Sequence, residues 1–232
     1  MTGVQTVCSS DLRVQGVALG AVRGANPVHE VQRHIGAVLL AAGQSKRMGQ
    51  PKVLLPWAGG RTILEQIIDQ LQLARLSNIT VVTGYRPGEV RRLATRAGAE
   101  VAHNPDYATG EMLSSLKAGL RAMPSHISAA LVTLGDQPRM QARVITQVLT
   151  AYAEGAGDIV APSYQMRRGH PILIDRKYWS EILELPDTGA PREVIERHRD
   201  QIAYVTVDTD SVLRDVDTPD DYQSERRLAG LE

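Results

Sequence analysis

Phenylalanine is absent from this chain of 232 residues, and aromatic residues together make up only 4%. The core must therefore be built from Val, Ile, Leu and Ala. Cysteine is reduced to one residue, Cys8. A single thiol makes no internal disulfide and no cysteine-based zinc site, which points to a reducing, cytoplasmic setting. Net charge is missing as well, with 26 Lys and Arg against 26 Asp and Glu. A neutral chain has no overall pull toward nucleic acid or an anionic membrane, so neither is an expected partner and any basic site must be local. No apolar run approaches the roughly 18–20 residues of a membrane span. Residues 1–34 have neither the basic start nor the concentrated apolar stretch of a signal peptide. They mix Gly, Val, Gln and Arg without a period, and read as an extension outside the fold, disordered or an overlong start. Residues 35–232 are left as one domain, an ordinary length for a single α/β unit.

Within that domain, strand-like and helix-like patterns alternate. IGAVLLA (35–41) is a continuous apolar run, as suits a parallel strand buried on both faces. TILEQIIDQLQLARL (62–76) carries apolar residues at helical spacing behind a capping Thr62. Further strands are expected over 79–84, 99–104, 129–136, 158–164, 171–175 and 202–208. Further helices are expected over 87–98, 114–123, 142–155, 191–199 and 218–230, the last capped by Thr218. Such alternation predicts an α/β fold: a mostly parallel, doubly wound sheet with helices on both faces. Ligands of such sheets sit beyond the carboxyl ends of the strands. Three polar clusters fall there: Gly43–Lys52, Gly135–Pro138 and Asp215–Asp217.

The first cluster crowds Lys46, Arg47 and Lys52 into a loop with Gly43, Gly49 and Pro51. The glycines let backbone N–H groups turn toward an anion, Arg47 offers a planar fork, and Lys52 is a movable point charge. The spacing excludes a P-loop, because Gln50 rather than Lys follows Gly49. It also excludes the dinucleotide fingerprint, which needs a second glycine two positions after the first. A solvated basic loop is the ordinary alternative to a triphosphate cradle. Asp136 ends an apolar strand, where an unpaired carboxylate is costly, and Mg²⁺ shared with phosphates would suit it. Asp217 precedes a Thr-Pro helix start and is the better second ligand, with Asp215 behind it. Asp220 and Asp221 fall in the first turn of that helix and read as structural. Arg167, Arg168 and His170 in RRGHP form a cationic loop suited to a second anionic substrate. The other histidines show no metal-ligand spacing, and Trp57 and Trp179 read as packing residues.

LAAGQSKRMGQPKVLLPW resembles the L-A-[AG]-G-x-S-x-R-M-G-x-x-K signature of the MobA-like nucleotidyltransferases. NPDYATGEMLSSLKAGL, TLGDQP, RRGHPILI, DTGAPR and DVDTPDDY together resemble its molybdopterin cytidylyltransferase branch, over about residues 35–228. The resemblance implies a Rossmann-like nucleotide-diphospho-sugar transferase fold and transfer of a nucleoside monophosphate to a phosphate-bearing acceptor, with release of pyrophosphate. It implies that Ala41, Ala42 and Gly43 approach base and ribose, and that Arg47 and Lys52 bind phosphates. Gly110, Ser114 and Ser115 would line the nucleotide side, Arg168 and His170 would face the acceptor, and Asp136 and Asp217 would hold Mg²⁺. Arg47, Lys52 and Asp136 are the implied catalytic residues. The Ala-Ala-Gly form of the signature favours CTP, and a molybdoenzyme or its maturation factor is the implied recipient. Glu111 departs from the family pattern, which has glycine nearer the serine pair. The alternatives are GTP with molybdopterin, CTP with methylerythritol phosphate, or a non-catalytic nucleotide- or cofactor-binding maturation factor. An NAD-binding oxidoreductase is disfavoured by its missing fingerprint.

Overall fold

The computed structural model describes residues 31, 33–109 and 111–231. The expected N-terminal extension lies almost wholly outside the described residues, as does Gly110. Strands β1 (Ile35–Ala41), β2 (Asn78–Thr83), β3 (Glu100–His103), β4 (Ala129–Leu134), β5 (Ile159–Tyr164), β6 (Arg167–Arg168), β7 (Ile172–Asp175) and β8 (Ile202–Thr206) form one sheet. Its order is β3-β2-β1-β4-β7-β5-β6, with β8 also paired to β5. The pairings β1–β2, β1–β4, β2–β3 and β5–β8 are parallel. One expectation from alternation is corrected here: β7 runs antiparallel to both β4 and β5. An apolar run such as ILI records burial but not direction. No long crossover precedes β7, so it returns by a short hairpin-like path through β6, which itself pairs antiparallel to β5.

Among the described residues, the helices that cover the sheet are α1 (Ile63–Leu73), α2 (Pro87–Arg96), α3 (Glu111–Ala122), α4 (Ala142–Ala153), α5 (Trp179–Glu184), α6 (Pro191–Arg197) and α7 (Pro219–Leu228). Alternate residues of β1 point to opposite faces. Ile35, Ala37, Leu39 and Ala41 join one core with Ile63, Ile67, Leu71, Val90 and Val148 of α1, α2 and α4. Val38 joins a second core with Leu113, Leu116, Leu120, Ile182 and Val194 of α3, α5 and α6. Each fully buried Leu, Ile or Val contributes about 1.5–3 kcal/mol, so the two apolar layers hold the sheet from both sides. Helix α1 starts where expected: Thr62 accepts from the Glu65 amide while the Glu65 carboxylate accepts from the Thr62 amide. Helix α3 begins at Glu111, a turn earlier than the pattern from Ser114 suggests, because Glu, Met and Leu are strong helix formers. Trp57 and Trp179 are buried, 7% and 4% exposed, as packing residues should be. No helix among the described residues is long and apolar enough to cross a membrane.

Candidate active site

The carboxyl ends of β1 and β4 lie side by side, and two loops leave the sheet there. After β1 the chain passes the buried Ala42 and turns at Ser45 and Gly49, whose φ values are 50° and 69°. A single 3₁₀ turn, Lys46–Met48, lies between them. Positive φ costs a non-glycine residue energy, and Ser45 is held there by two contacts. Its carbonyl accepts from the Met48 amide at 2.9 Å, and its hydroxyl accepts from the Lys52 amide at 3.0 Å. The loop is thus folded back until Lys52 faces the sheet edge. Buried Val53 and Leu55, just beyond, anchor the far end in the core.

Gly135 lets the second loop approach. A Cβ there would stand 2.6 Å from the Leu40 carbonyl, so no larger residue permits this contact between strand ends. Asp136 follows, and its carbonyl accepts from the Val216 amide at 2.8 Å. That bond places Asp217 beside it, just ahead of α7. Asp221 closes the capping box of α7 with Thr218, the structural part expected of it. Asp215 is engaged elsewhere, accepting from Gln137 Nε2 at 2.8 Å.

Lys52 Nζ donates to Asp136 Oδ2 at 3.1 Å and to Asp217 Oδ1 at 2.6 Å. Arg47 Nη2 reaches Asp217 Oδ2 at 3.0 Å. Burial works against the charge on Lys52, yet the field of Asp136 and the bond to Asp217 outweigh it and hold its pKa above the ordinary lysine value. Burial likewise pushes Asp136 up, against the pull of Lys52 and with the repulsion of Asp215. Asp217 is held below the usual carboxylate range, chiefly by the hydrogen bond from Lys52. The cavity around this cluster measures about 390 Å³ and includes Ala41, Gly43, Arg47, Lys52, Asp136 and Asp217. Two carboxylates converging on one cation could together hold a divalent metal ion in company with phosphates. Among the described residues no cluster of three or more potential ligands would hold a metal alone.

The remaining predicted residues sit apart from this cluster. Ser114 and Ser115 both accept hydrogen bonds from the buried Asn104 amide, at 2.8 and 3.0 Å, just beyond the carboxyl end of β3. Arg168 and His170 line a second cavity, also about 390 Å³. Burial lowers the His170 pKa to about 4, with the Arg168 charge adding and the Asp136 charge opposing, so the ring is neutral near pH 7. Sequence reasoning missed Ser45 as the fold-back of the loop, Tyr107 in the first cavity, and Arg192 in the second. Tyr107 follows a strand end in NPDY, the one signal that could have marked it.

An open, mostly parallel sheet carrying a cationic loop and paired carboxylates at its carboxyl edge defines a Rossmann-like nucleotide-diphospho-sugar transferase. A model of the MobA-like NTP transferase domain matches residues 37–202, and the chain belongs to that family of nucleotidyltransferases. It is 32% identical over 189 residues to the molybdenum cofactor cytidylyltransferase of Escherichia coli K12, covering 81% of this chain and 93% of that protein. It is also 30% identical over 193 residues to nicotine blue oxidoreductase of Paenarthrobacter nicotinovorans, covering 79% and 92%. Among solved structures it is similar to Rv0371c from Mycobacterium tuberculosis H37Rv in complex with manganese, with a TM-score of 0.70 and 26% identity over 84% of this chain and 98% of that one.

Proposed function

We propose that this protein transfers CMP from CTP to the phosphate of the molybdenum cofactor and releases pyrophosphate. The observation that carries the reading is Lys52 bound to both Asp136 and Asp217, with Arg47 beside them. Four charged groups from three chain segments meet at one strand edge, as transfer of a phosphoryl-type group requires. The cytidylyltransferase relative supports both CTP and the acceptor, and the manganese complex of the mycobacterial neighbour supports a divalent metal.

Ala41, Ala42 and Gly43 give the base and ribose a small-residue floor. Ser114 and Ser115, both tied to the Asn104 amide, would line the nucleotide side together with Gly110. Arg47 and Lys52 take the triphosphate. An oxygen of the acceptor phosphate attacks the α-phosphorus in line, and the bond to the pyrophosphate oxygen breaks. That nucleophile is already ionised at neutral pH, so no side chain need remove a proton. Mg²⁺ held by Asp136 and Asp217 would neutralise the charge that gathers on the phosphates. Before it can do so, Lys52 must leave the carboxylates for the nucleotide. The product would pass to a molybdoenzyme or its maturation factor.

A pyrophosphate-release screen of CTP, GTP, ATP and UTP with Mg²⁺, against molybdenum cofactor and methylerythritol phosphate, tests the reading. Turnover with CTP and molybdenum cofactor is the expected outcome. GTP preference or methylerythritol phosphate turnover would replace the substrate assignment, and nucleotide binding without turnover would favour a binding factor. The oxidoreductase relative favours a second reading, redox chemistry on nicotine blue, with a reduced nicotinamide supplied as the electron donor in the test. Decolorisation of that dye without pyrophosphate release would select it.

A further inference from the structure

Helix α7 is fastened on two sides. On one, Glu225 accepts from Arg139 and Arg214, which tie the helix to the chain just after Asp136 and just before Asp215. On the other, the Tyr222 hydroxyl donates to the Pro56 carbonyl, and Arg226 Nη1 donates to the Trp57 carbonyl at 3.1 Å. The rings of Tyr222 and Trp57 stand 6.3 Å apart, within the range of an aromatic pair. The Arg226 guanidinium lies 5.7 Å from the centre of the Tyr222 ring, and its Nη2 donates to the Leu231 carbonyl at 2.7 Å. Tyr222 also packs against the first core. Phe would serve for that packing, so the hydroxyl is used for the bond to Pro56.

Pro56 stands four residues beyond Lys52, and the chain between them is stiff. Lys52–Leu54 is a 3₁₀ turn, with Leu54 donating to the Pro51 carbonyl and Leu55 to the Lys52 carbonyl, both at 3.0 Å. Val53 and Leu55 are buried in the first core, and the Leu55 carbonyl accepts from the Ile63 amide at 2.9 Å. A shift at Pro56 is therefore passed to Lys52. The ion pairs of Asp217 with Lys52 and Arg47 also join this loop to α7, but they open when the two cations turn to phosphates. The bonds at Pro56 and Trp57 use neither Lys52 nor Asp217, so they survive that exchange.

We propose that Tyr222 and Arg226 are positioning residues for Lys52, holding its turn against α7 so that only the side chain moves when it passes from the carboxylates to a triphosphate. The triphosphate is taken from the transferase reading, on which this rests. A lysine has a flexible stem that gives reach without direction, so its aim must come from a fixed backbone. The two fastenings divide the work. Glu225 keeps the carboxylates together, and Tyr222 with Arg226 keeps the lysine facing them.

A cycle of Tyr222→Phe and Lys52→Met in the full chain tests this, with inorganic tripolyphosphate and Mn²⁺ titrated calorimetrically. Arg47 remains to hold the probe in Lys52→Met. With Lys52 in place, Tyr222→Phe should weaken tripolyphosphate about fivefold, as loss of one hydrogen bond implies, and Arg226→Met should weaken it too. In the Lys52→Met background Tyr222→Phe should change nothing, because the two sites act through one group. The urea midpoint should fall equally in both backgrounds, which separates fastening the helix from aiming the lysine. Mn²⁺ alone, followed by electron paramagnetic resonance, should bind Lys52→Met equally well with and without Tyr222→Phe. With CTP as substrate, Tyr222→Phe should raise its KM and leave the KM of the acceptor where it was. Equal weakening of tripolyphosphate in both backgrounds, no weakening in either, a Mn²⁺ affinity that follows Tyr222→Phe, or no binding of the probe by the unaltered chain overturns the proposal. Lys52-dependent weakening with no pyrophosphate release from any nucleotide upholds it and removes the transferase reading instead.

Discussion

Lys52 Nζ holds Asp136 and Asp217 within hydrogen-bond reach of one atom, at 3.1 and 2.6 Å. This lysine offsets repulsion between the carboxylates, and its raised pKa keeps it charged at neutral pH. On the proposed transferase reading the same charge would also serve the phosphates during transfer, so Lys52→Ala would remove two functions at once. Pyrophosphate release at saturating CTP is expected to fall about 100–1,000-fold, the usual effect of deleting one preorganised donor to a transition-state oxyanion. An unchanged rate at saturation would leave Lys52 only a structural role. Arg47 differs, because its side chain is 67% exposed and Asp217 is 39% exposed. Screening at such a pair limits its stabilisation to roughly 0–1 kcal/mol. Arg47→Ala is therefore expected to weaken nucleotide binding and leave the urea midpoint almost unmoved.

Helix α7 shows how an element distant in sequence completes the site. Glu225 is 1% exposed, and its carboxylate accepts from Arg139 Nε at 2.6 Å and Arg214 Nε at 2.9 Å. Arg139 also reaches Asp210 at 2.8 Å. These bonds clamp α7 against the segment after Asp136, while the Thr218–Asp221 box sets where the helix starts and hence where Asp217 stands. Removing one partner of a buried ion pair leaves uncompensated charge and costs about 3–5 kcal/mol. Glu225→Ala should lose that much in urea unfolding and also weaken metal-dependent turnover, measured well below its melting temperature. A stability loss with wild-type metal dependence would separate the clamp from the site.

Helix α7 also marks the limit of what was legible. Thr62 and Thr218 announced two helix starts, because a cap and its N3 acid are local and their partners lie three residues away. The loop from Gly43 to Lys52 was legible for the same reason. The direction of β7 was not, since burial pattern does not encode polarity. Neither was the Asn104 bond to Ser114 and Ser115, nor Arg192 in the second cavity, because these contacts depend on how distant segments are brought together. Glu225 carries no local signal for its burial, because its two arginines lie 86 and 11 positions away.

At the scale of the whole molecule, two apolar layers clamp one sheet and leave the functional groups along a single edge. Burial reaches that edge at His170, whose pKa falls from 6.5 to about 4. The unfolded chain takes up this proton below about 6.5 and the folded chain only below about 4. The stabilisation is therefore complete above pH 6.5 and is lost as the pH falls toward 4, amounting to on the order of 3 kcal/mol. Urea unfolding at pH 7 and pH 4.5 should show a steeper loss in the wild type than in His170→Gln. Equal losses would mean that the ring titrates like an ordinary histidine.

The bond between Lys52 and Asp217 joins residues 165 positions apart. Closing so long a loop is slow compared with pairing neighbouring strands. A chain in which β1 to β4 has already condensed owns Lys52 and Asp136 but not the carboxylate that completes their geometry. Until α7 docks, the cationic loop faces a single acid, and the pair of carboxylates proposed to hold a metal is incomplete. The second carboxylate of the cluster is thus supplied from far along the chain, by the approach to a helix that lies outside the sheet.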